Sequence, residues 1–210
     1  MGKKRRSASS RRWLAEHEAD AYVQRARSEG WRSRAVYKLQ ELDEKDRLVK
    51  PGQRIVDLGA APGGWTQYCV KKTKGQSKII GIDLLPIDPM DGAILIQNDF
   101  ESDEGLEALE VALNGKPVDL VLSDMAPNIS GIASADQARA TGLVELALDF
   151  CTRQLAPGGD FVAKAFQGDG FDPWFMDVRR AFERVVVRKP AASRPRSREV
   201  YVVARKFRLS

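Results

Sequence analysis

The stretch Val56-Asp57-Leu58-Gly59-Ala60-Ala61-Pro62-Gly63-Gly64-Trp65-Thr66-Gln67 decides how the rest of the chain folds. Before it, Arg54-Ile55-Val56-Asp57-Leu58 reads as a short buried strand; after it, Trp65 to Lys72 reads as the first turns of a helix. Gly59, Gly63 and Gly64 carry no Cβ, so the backbone turns sharply and a ligand can lie directly against it. Free N–H groups at the following helix start favour a carboxylate or another anionic group. A strand, a glycine-rich turn and a helix together make the nucleotide-cradling unit of an open α/β sheet.

On the upstream side, the spacing of Trp13, Ala19, Tyr22, Val23 and Ala26 predicts a helix from Trp13 to Glu29, ended by Gly30. Ser33 is placed to cap a second helix, Arg34 to Lys45, with Ala35, Val36, Leu39 and Leu42 on its apolar side and Lys38 near its middle. Downstream, strands alternate with helices. Strands are predicted at Ser77–Asp83, Ala93–Gln97, Val118–Asp124 and Asp160–Lys164. Helices are predicted at Asp103–Leu113, Ala135–Leu155 (stopped by Pro157-Gly158-Gly159) and Trp174–Glu183. Arg184–Arg188 and Glu199–Phe207 pair as a closing hairpin across an Arg-rich loop. The fold class is therefore α/β: one Rossmann-like domain whose seven-stranded, mostly parallel sheet has helices on both faces and an antiparallel closing strand. Residues 1–12 form a basic arm, low in apolar residues and expected to be disordered until it meets a partner. The domain runs from 13 to 210, and 13–50 is its N-terminal helical extension.

The 210 residues suit one domain with a sizeable core. No apolar run approaches the roughly 18 residues of a membrane span, and the basic N-terminus has no apolar stretch behind it, so it is not a secretory signal. Two cysteines, Cys69 and Cys151, and one histidine, His17, exclude a four-ligand zinc site. Both cysteines read as reduced and buried, which with the rest gives a cytoplasmic enzyme holding no metal. The net charge of +5 conceals an asymmetry: residues 1–40 and 179–210 hold 22 Lys/Arg against 6 Asp/Glu, whereas 41–178 hold 12 against 23. Two basic ends around an acidic centre suit a catalytic body with polyanion-binding flanks, and the polyanion indicated is a nucleic acid.

In open parallel sheets the ligand sits beyond the carboxyl ends of the strands. Here those ends carry Gly59, Asp83, Asp99, Asp124 and Lys164. Asp83 lies about twenty residues past the glycine turn, where an acid accepts hydrogen bonds from ribose hydroxyls; Asp99 and Phe100 lie where a base edge is read and its ring packed. A dinucleotide fingerprint laid from Gly59 requires glycine at 61, and Ala61 stands there. That substitution turns the reading away from a pyrophosphate and toward S-adenosylmethionine, with an adenosine, no phosphate and a carboxylate-bearing tail. The candidate cofactor-binding residues are Gly59, Ala61, Pro62, Gly63, Gly64, Trp65, Asp83, Asp99, Phe100 and Asp124.

Three runs, Ser33-Arg34-Ala35-Val36-Tyr37-Lys38-Leu39, Asp57 to Trp65, and Ser123-Asp124-Met125-Ala126-Pro127-Asn128, are similar to those of the FtsJ/RrmJ-type ribosomal RNA 2′-O-methyltransferases, and the resemblance covers nearly the whole chain. It implies a class I methyltransferase domain. It also implies a Lys-Asp-Lys-Glu tetrad, matched here by Lys38, Asp124, Lys164 and Glu199 with no departure. For bacterial members it implies methylation of one uridine 2′-hydroxyl in the A-loop of 23S ribosomal RNA, on an assembled 50S subunit, by a monomer without membrane contact.

Methyl transfer from a sulfonium to a ribose hydroxyl is an in-line displacement, so positioning supplies much of the rate. The hydroxyl must also lose its proton, and a lysine accepts it only if its pKa falls from the reference of about 10.4 toward neutrality. Two lysines and two acids form a coupled cluster. Lys164, on the rigid end of a strand, is assigned as the base, Asp124 orients it, and Lys38 and Glu199 hold the hydroxyl and the lysines. Arg32 and Arg34 beside the Lys38 helix, and Arg194, Arg196 and Arg198 before Glu199, are candidate phosphate contacts; Trp31 and Tyr37 are candidate base-stacking rings, although packing is the commoner fate of both. Asp124-Met125-Ala126-Pro127 lacks the aromatic of amino-directed adenine enzymes and the cysteine nucleophile of carbon-5 pyrimidine enzymes. Two rivals stay open: an assembly factor that binds adenosylmethionine without catalysis, and a nicotinamide-dependent oxidoreductase, which Ala61 disfavours.

Overall fold

In the computed structural model of the chain, which describes residues 20–194 and 196–208, β1 (Arg54–Leu58) is buried from Ile55 onward. It lies at the centre of the sheet, parallel to β2 (Lys78–Asp83) on one side and β4 (Val118–Ser123) on the other. Strands buried on both faces read as continuous apolar runs, which is why Ile-Val-Asp-Leu tolerates only one polar residue. Outward from β2 comes β3 (Ala93–Gln97); outward from β4 come β5 (Leu155–Phe166), β7 (Glu199–Phe207) and the edge strand β6 (Phe182–Arg188). The order is β3-β2-β1-β4-β5-β7-β6, with β7 antiparallel to both its neighbours.

Alternation along the strands sorts the core into two layers. Val56, Leu58, Ile80, Val121, Phe161, Ala163 and Val202 pack with α4 (Asp103–Leu113), α5 (Ala133–Gln154) and α6 (Phe171–Ala181). Ile55, Ile79, Leu120, Leu122, Val162, Tyr201 and Val203 pack with α1 (Ala21–Ser28), α2 (Val36–Asp46) and α3 (Gly64–Thr73). Cys69 and Cys151 are free thiols, one buried in each layer. Among the described residues no helix is long and apolar enough to cross a membrane.

The expected α/β architecture is the observed one, with local differences. The basic arm and the predicted helical stretch from Trp13 to Ala19 lie outside the described residues; α1 begins after Asp20, whose side chain accepts the Tyr22 N–H at 2.9 Å. Ser33 does not cap α2. Ala35 occupies that position without a side-chain bond, and Ser33 is instead pressed against Gly64. β5 begins five residues before Asp160, because Leu155 already pairs with Val118 and the ladder shifts register across Pro157-Gly158-Gly159. α6 begins at Phe171 rather than Trp174: Pro173 sits in its first turn, where a missing N–H leaves no helical bond unmade.

Candidate active site

The glycine loop is held by the sheet on both sides. Gly59 N and Ala60 N donate to the Ile82 carbonyl at 3.0 and 3.1 Å, and the Asp83 carboxylate accepts Ala61 N and Leu85 N, each at 2.8 Å. Gly59 has φ +74°, and a Cβ on it would lie 2.6 Å from Met125 Cγ and 3.0 Å from Met125 Cα. Only glycine lets the β1 loop pass the β4 loop this closely. At Gly64 a Cβ would meet Ser33 Oγ at 2.3 Å, so this glycine admits the segment leading into α2.

A cavity of about 680 Å³ opens beyond the strand ends. Of the ten residues expected to bind a cofactor, Gly59, Ala61, Asp83, Asp99, Phe100 and Asp124 line it. Pro62, Gly63, Gly64 and Trp65 do not. Pro62 is exposed and the two glycines are packing positions. Trp65 is buried, donates from Nε1 to the Ala35 carbonyl at 2.8 Å and tilts against the Tyr201 ring, so it joins α3 to α2 and β7. Phe100 is 5% exposed and meets Phe150 edge-on, so most of its ring belongs to the core. Met125, Asn128, Leu84, Leu85, Arg139 and Leu143 also form the wall and were not singled out by sequence.

Beneath the loop, Asp57 is buried on the α3 face. Thr66 Oγ1 donates to its Oδ2 at 2.6 Å, while Oδ1 has no partner. Burial pushes this carboxyl up to about 7, with Asp124 and Asp83 adding to the effect and the Thr66 hydrogen bond opposing it. The folded chain thus keeps a proton that the unfolded chain, with an ordinary carboxyl near 3.8, releases. This group's stabilisation is full below about pH 4 and is lost as pH rises through 7, a fall of about 4 kcal/mol. Asp57→Asn should therefore gain about 2–3 kcal/mol on the parent between pH 5 and pH 8. Urea unfolding at both pH values reads this directly, and an unchanged difference would show that Asp57 is ionised throughout.

The four residues of the expected tetrad gather into one cluster, of which Asp124 also lines the cavity. Lys164 lies opposite Tyr201 in the β5–β7 ladder, and Glu199 is two residues before Tyr201, so all three side chains emerge on the face covered by α2, which carries Lys38. Lys164 Nζ pairs with Asp124 Oδ1 at 3.1 Å and donates to the Asp124 carbonyl at 2.6 Å; Lys38 Nζ pairs with Glu199 Oε1 at 2.9 Å. Tyr201 joins the pairs: its hydroxyl donates to Asp124 Oδ1 at 2.8 Å, and the Lys38 ammonium lies 5.5 Å from its ring centroid. Burial alone would raise the Asp124 carboxyl, but the Lys164 and Lys38 ammoniums and the Tyr201 hydroxyl outweigh it and hold it below the usual range. In Glu199, too, burial is overcome, chiefly by Lys38. Tyr201 escaped sequence reading, although its two-residue offset from Glu199 on a strand was the available signal. Asp124 borders both cavity and cluster, so a group held in the cavity sits next to a lysine.

The proposed nucleic-acid contacts fare unequally. Arg32 donates to the Asp88 and Pro89 carbonyls at 2.6 and 2.8 Å, and Arg34 is paired with Asp20 and donates to the Ala192 carbonyl, so both act first as internal ties. Arg196 and Arg198 are exposed and Arg194 is half-buried. Their loop is fastened to α2 by Glu41, whose carboxylate accepts Ala191 N and Ala192 N at 2.7 and 2.9 Å. Tyr37 is 2% exposed, bonded to Glu29 and covered by Arg25, so packing is its role. Trp31 is half-buried under the Lys71 ammonium, 4.2 Å from its ring centroid.

Known proteins share this arrangement to different degrees. The ribosomal RNA large subunit methyltransferase E of Methylobacillus flagellatus is 54% identical over 204 residues, 97% of this chain and 99% of its own. The protein of the same name from Alkalilimnicola ehrlichii is 52% identical over 209 residues, covering both chains fully. A crystal structure of a Plasmodium falciparum protein described as a ribosomal RNA methyltransferase has a TM-score of 0.75 at 31% identity, over 84% of this chain and 98% of that one. A fibrillarin/Nop5p complex, at 15% identity and a TM-score of 0.56 over 82% of this chain and 83% of that one, shows likeness of fold alone. The pattern of one sequence family, the FtsJ-like methyltransferases, matches residues 31–207 and so takes in the glycine loop, both lysines and both acids together; this chain belongs to that family.

Proposed function

We propose that the chain methylates the 2′-hydroxyl of one uridine ribose in the A-loop of 23S ribosomal RNA. It does so on the assembled 50S subunit, as a cytoplasmic monomer, from S-adenosylmethionine and with Lys164 as general base. The observation that carries this reading is the Lys164–Asp124 pair at 3.1 Å, joined through Asp124 to the cavity and through Tyr201 to Lys38 and Glu199. The relatives' names supply the large-subunit RNA.

The cavity's chemistry fits the cofactor. Four carboxylates, Asp83, Asp99, Glu101 and Asp124, line it against one arginine, Arg139, which suits a ligand bearing an ammonium, a sulfonium and ribose hydroxyls and disfavours one bearing phosphates. Asp83 keeps acceptor capacity beyond the two loop amides it holds, since a carboxylate has about four lone-pair sites. When bound, S-adenosylmethionine supplies an electrophilic methyl group.

The chain supplies the rest. Lys164 Nζ, as the free amine, accepts the proton of the 2′-hydroxyl. Asp124, fixed by the Tyr201 hydroxyl, sets the position of Nζ. Lys38 and Glu199, fixed to each other, offer one donor and one acceptor to the hydroxyl. Arg194, Arg196 and Arg198 engage phosphates beside the target.

The test is transfer of labelled methyl from adenosylmethionine to large subunits lacking the modification, followed by mapping of ribose methylation. One methylated A-loop uridine is expected. Tight adenosylmethionine binding without transfer would instead favour the assembly factor, and methyl on a base would overturn the hydroxyl assignment. Calorimetry with a nicotinamide cofactor should show no binding.

A further inference from the structure

The loop that follows Asp124 carries an isoleucine the fold does not use. Ile129 is 85% exposed, on the segment joining β4 to α5, and Met125 to Asn128 just before it line the cavity. Ile132, three residues on, is 63% exposed, so two large apolar side chains of one loop stand in water next to residues that line the cavity.

The loop is pinned in this shape. Ser130 donates to Asp136 Oδ1 from both its N–H and its hydroxyl, each at 2.7 Å, and Gly131 N donates to Oδ2 at 3.1 Å. Ile132 N donates to Ser130 Oγ at 3.3 Å, Asp136 N donates to the Ile132 carbonyl at 2.9 Å, and Arg139 donates to the Asn128 carbonyl at 3.3 Å. The Ser130 bonds, side chain first, hold the Asp136 carboxyl below its usual range, so the staple is charged at neutral pH. Ile129 is thus presented on a stiff mount, and its own β-branch leaves little rotamer freedom to lose on contact.

Its chemistry narrows the occupant. An isoleucine side chain has no donor or acceptor, so it cannot read a base edge or a phosphate; it can only fill an apolar gap. In a stacked RNA such a gap opens between bases when one nucleotide leaves the stack, and apolar side chains inserted at such steps hold it open. A buried reaction centre demands that departure, because the ribose must turn in to reach Lys164.

We propose that Ile129 is a wedge: it enters the RNA stack beside the target uridine and fills the place that nucleotide leaves as its ribose turns toward the Lys164–Asp124 pair. The inference rests on the RNA 2′-hydroxyl reading and adds a positioning residue to it.

The test uses a synthetic RNA stem–loop carrying the target uridine with 2-aminopurine next to it, and large subunits lacking the modification. With the parent protein, binding should raise the 2-aminopurine fluorescence as the base unstacks. Ile129→Ala should bind the stem–loop without that rise and methylate the subunits at least tenfold more slowly, with adenosylmethionine affinity unchanged. Ile129→Met, similar in volume and apolar, should restore both signals. Val111→Ala, which trims another exposed apolar residue on α4, should change neither. A fluorescence rise that persists in Ile129→Ala, or methylation within twofold of the parent, overturns the wedge alone. Slower methylation of subunits with the rise intact also overturns it, and assigns Ile129 to a contact with a ribosomal protein. A parent protein that transfers no methyl to any ribose overturns the functional reading and the wedge with it.

Discussion

Lys164→Met is expected to slow the methyl-transfer step by about a thousandfold, the middle of the range for a positioned general base, while adenosylmethionine still binds. Lys164 is 7% exposed, and its ammonium is engaged by both the carboxylate and the carbonyl of Asp124. Methionine keeps the unbranched apolar stem of the side chain, with sulfur in place of one methylene, and ends where the nitrogen begins, so the β5–β7 ladder stays filled. The Asp124 carboxylate then loses one partner but retains the Tyr201 hydroxyl and the nearby Lys38 ammonium, which limits the penalty for an orphaned charge. Single-turnover methylation and a thermal melt together decide the matter. A rate within tenfold of the parent, in a folded protein, would remove Lys164 from the role of base and leave Lys38 as the remaining amine in the cluster.

Gly59→Ala should damage the fold and the cavity together. The backbone there, at φ +74°, costs an alanine about 1–2 kcal/mol. Its Cβ would also lie within 3.0 Å of the Met125 Cα, and backbone on both sides is held, by Ile82 on one and by the Asp124 N–H to Leu58 carbonyl bond of 3.3 Å on the other. Strain of that kind adds about 1–3 kcal/mol. The total, on the order of 3 kcal/mol, lowers the melting temperature by roughly 6–12 °C for a chain of this size. Because the loop can relieve the clash only by moving away from the β4 end, the cavity wall shifts, and adenosylmethionine affinity should fall at least tenfold. A melting temperature within 2 °C of the parent would mean that the two loops slide past each other freely.

How far the sequence revealed this depended on the kind of signal each residue carries. α4 and β3 have the bounds their patterning predicts, since Ser102 caps the helix and Ala93 to Gln97 pair residue by residue with Ile79 to Asp83 of β2. Ser33 misled because a hydroxyl beside a helix start looks like a cap from sequence, whereas its packing against Gly64 arises from a contact distant in sequence. Trp65 shows the same limit: the bond from its indole to the Ala35 carbonyl spans thirty residues and leaves no trace in the local pattern. The gathering of Lys38, Asp124, Lys164 and Glu199 came from resemblance. Periodicity places each on its own element and says nothing of strand order, and only the insertion of β7 beside β5 puts Glu199 and Tyr201 on the Lys164 face.

That insertion has a consequence for the order in which the molecule can be assembled. Among the described residues β6 has no neighbour in the sheet except β7, and β7 follows every other strand of the sheet in the chain. Until it arrives, β6 is an unpaired edge, Lys38 lacks its acid and Asp124 lacks its hydroxyl. The cluster is closed by contacts of high sequence separation, such as Tyr201 to Asp124 across 77 residues, which are slow to form. A nascent chain that has not yet reached β7 therefore lacks the assembled cluster, which forms only when that strand docks.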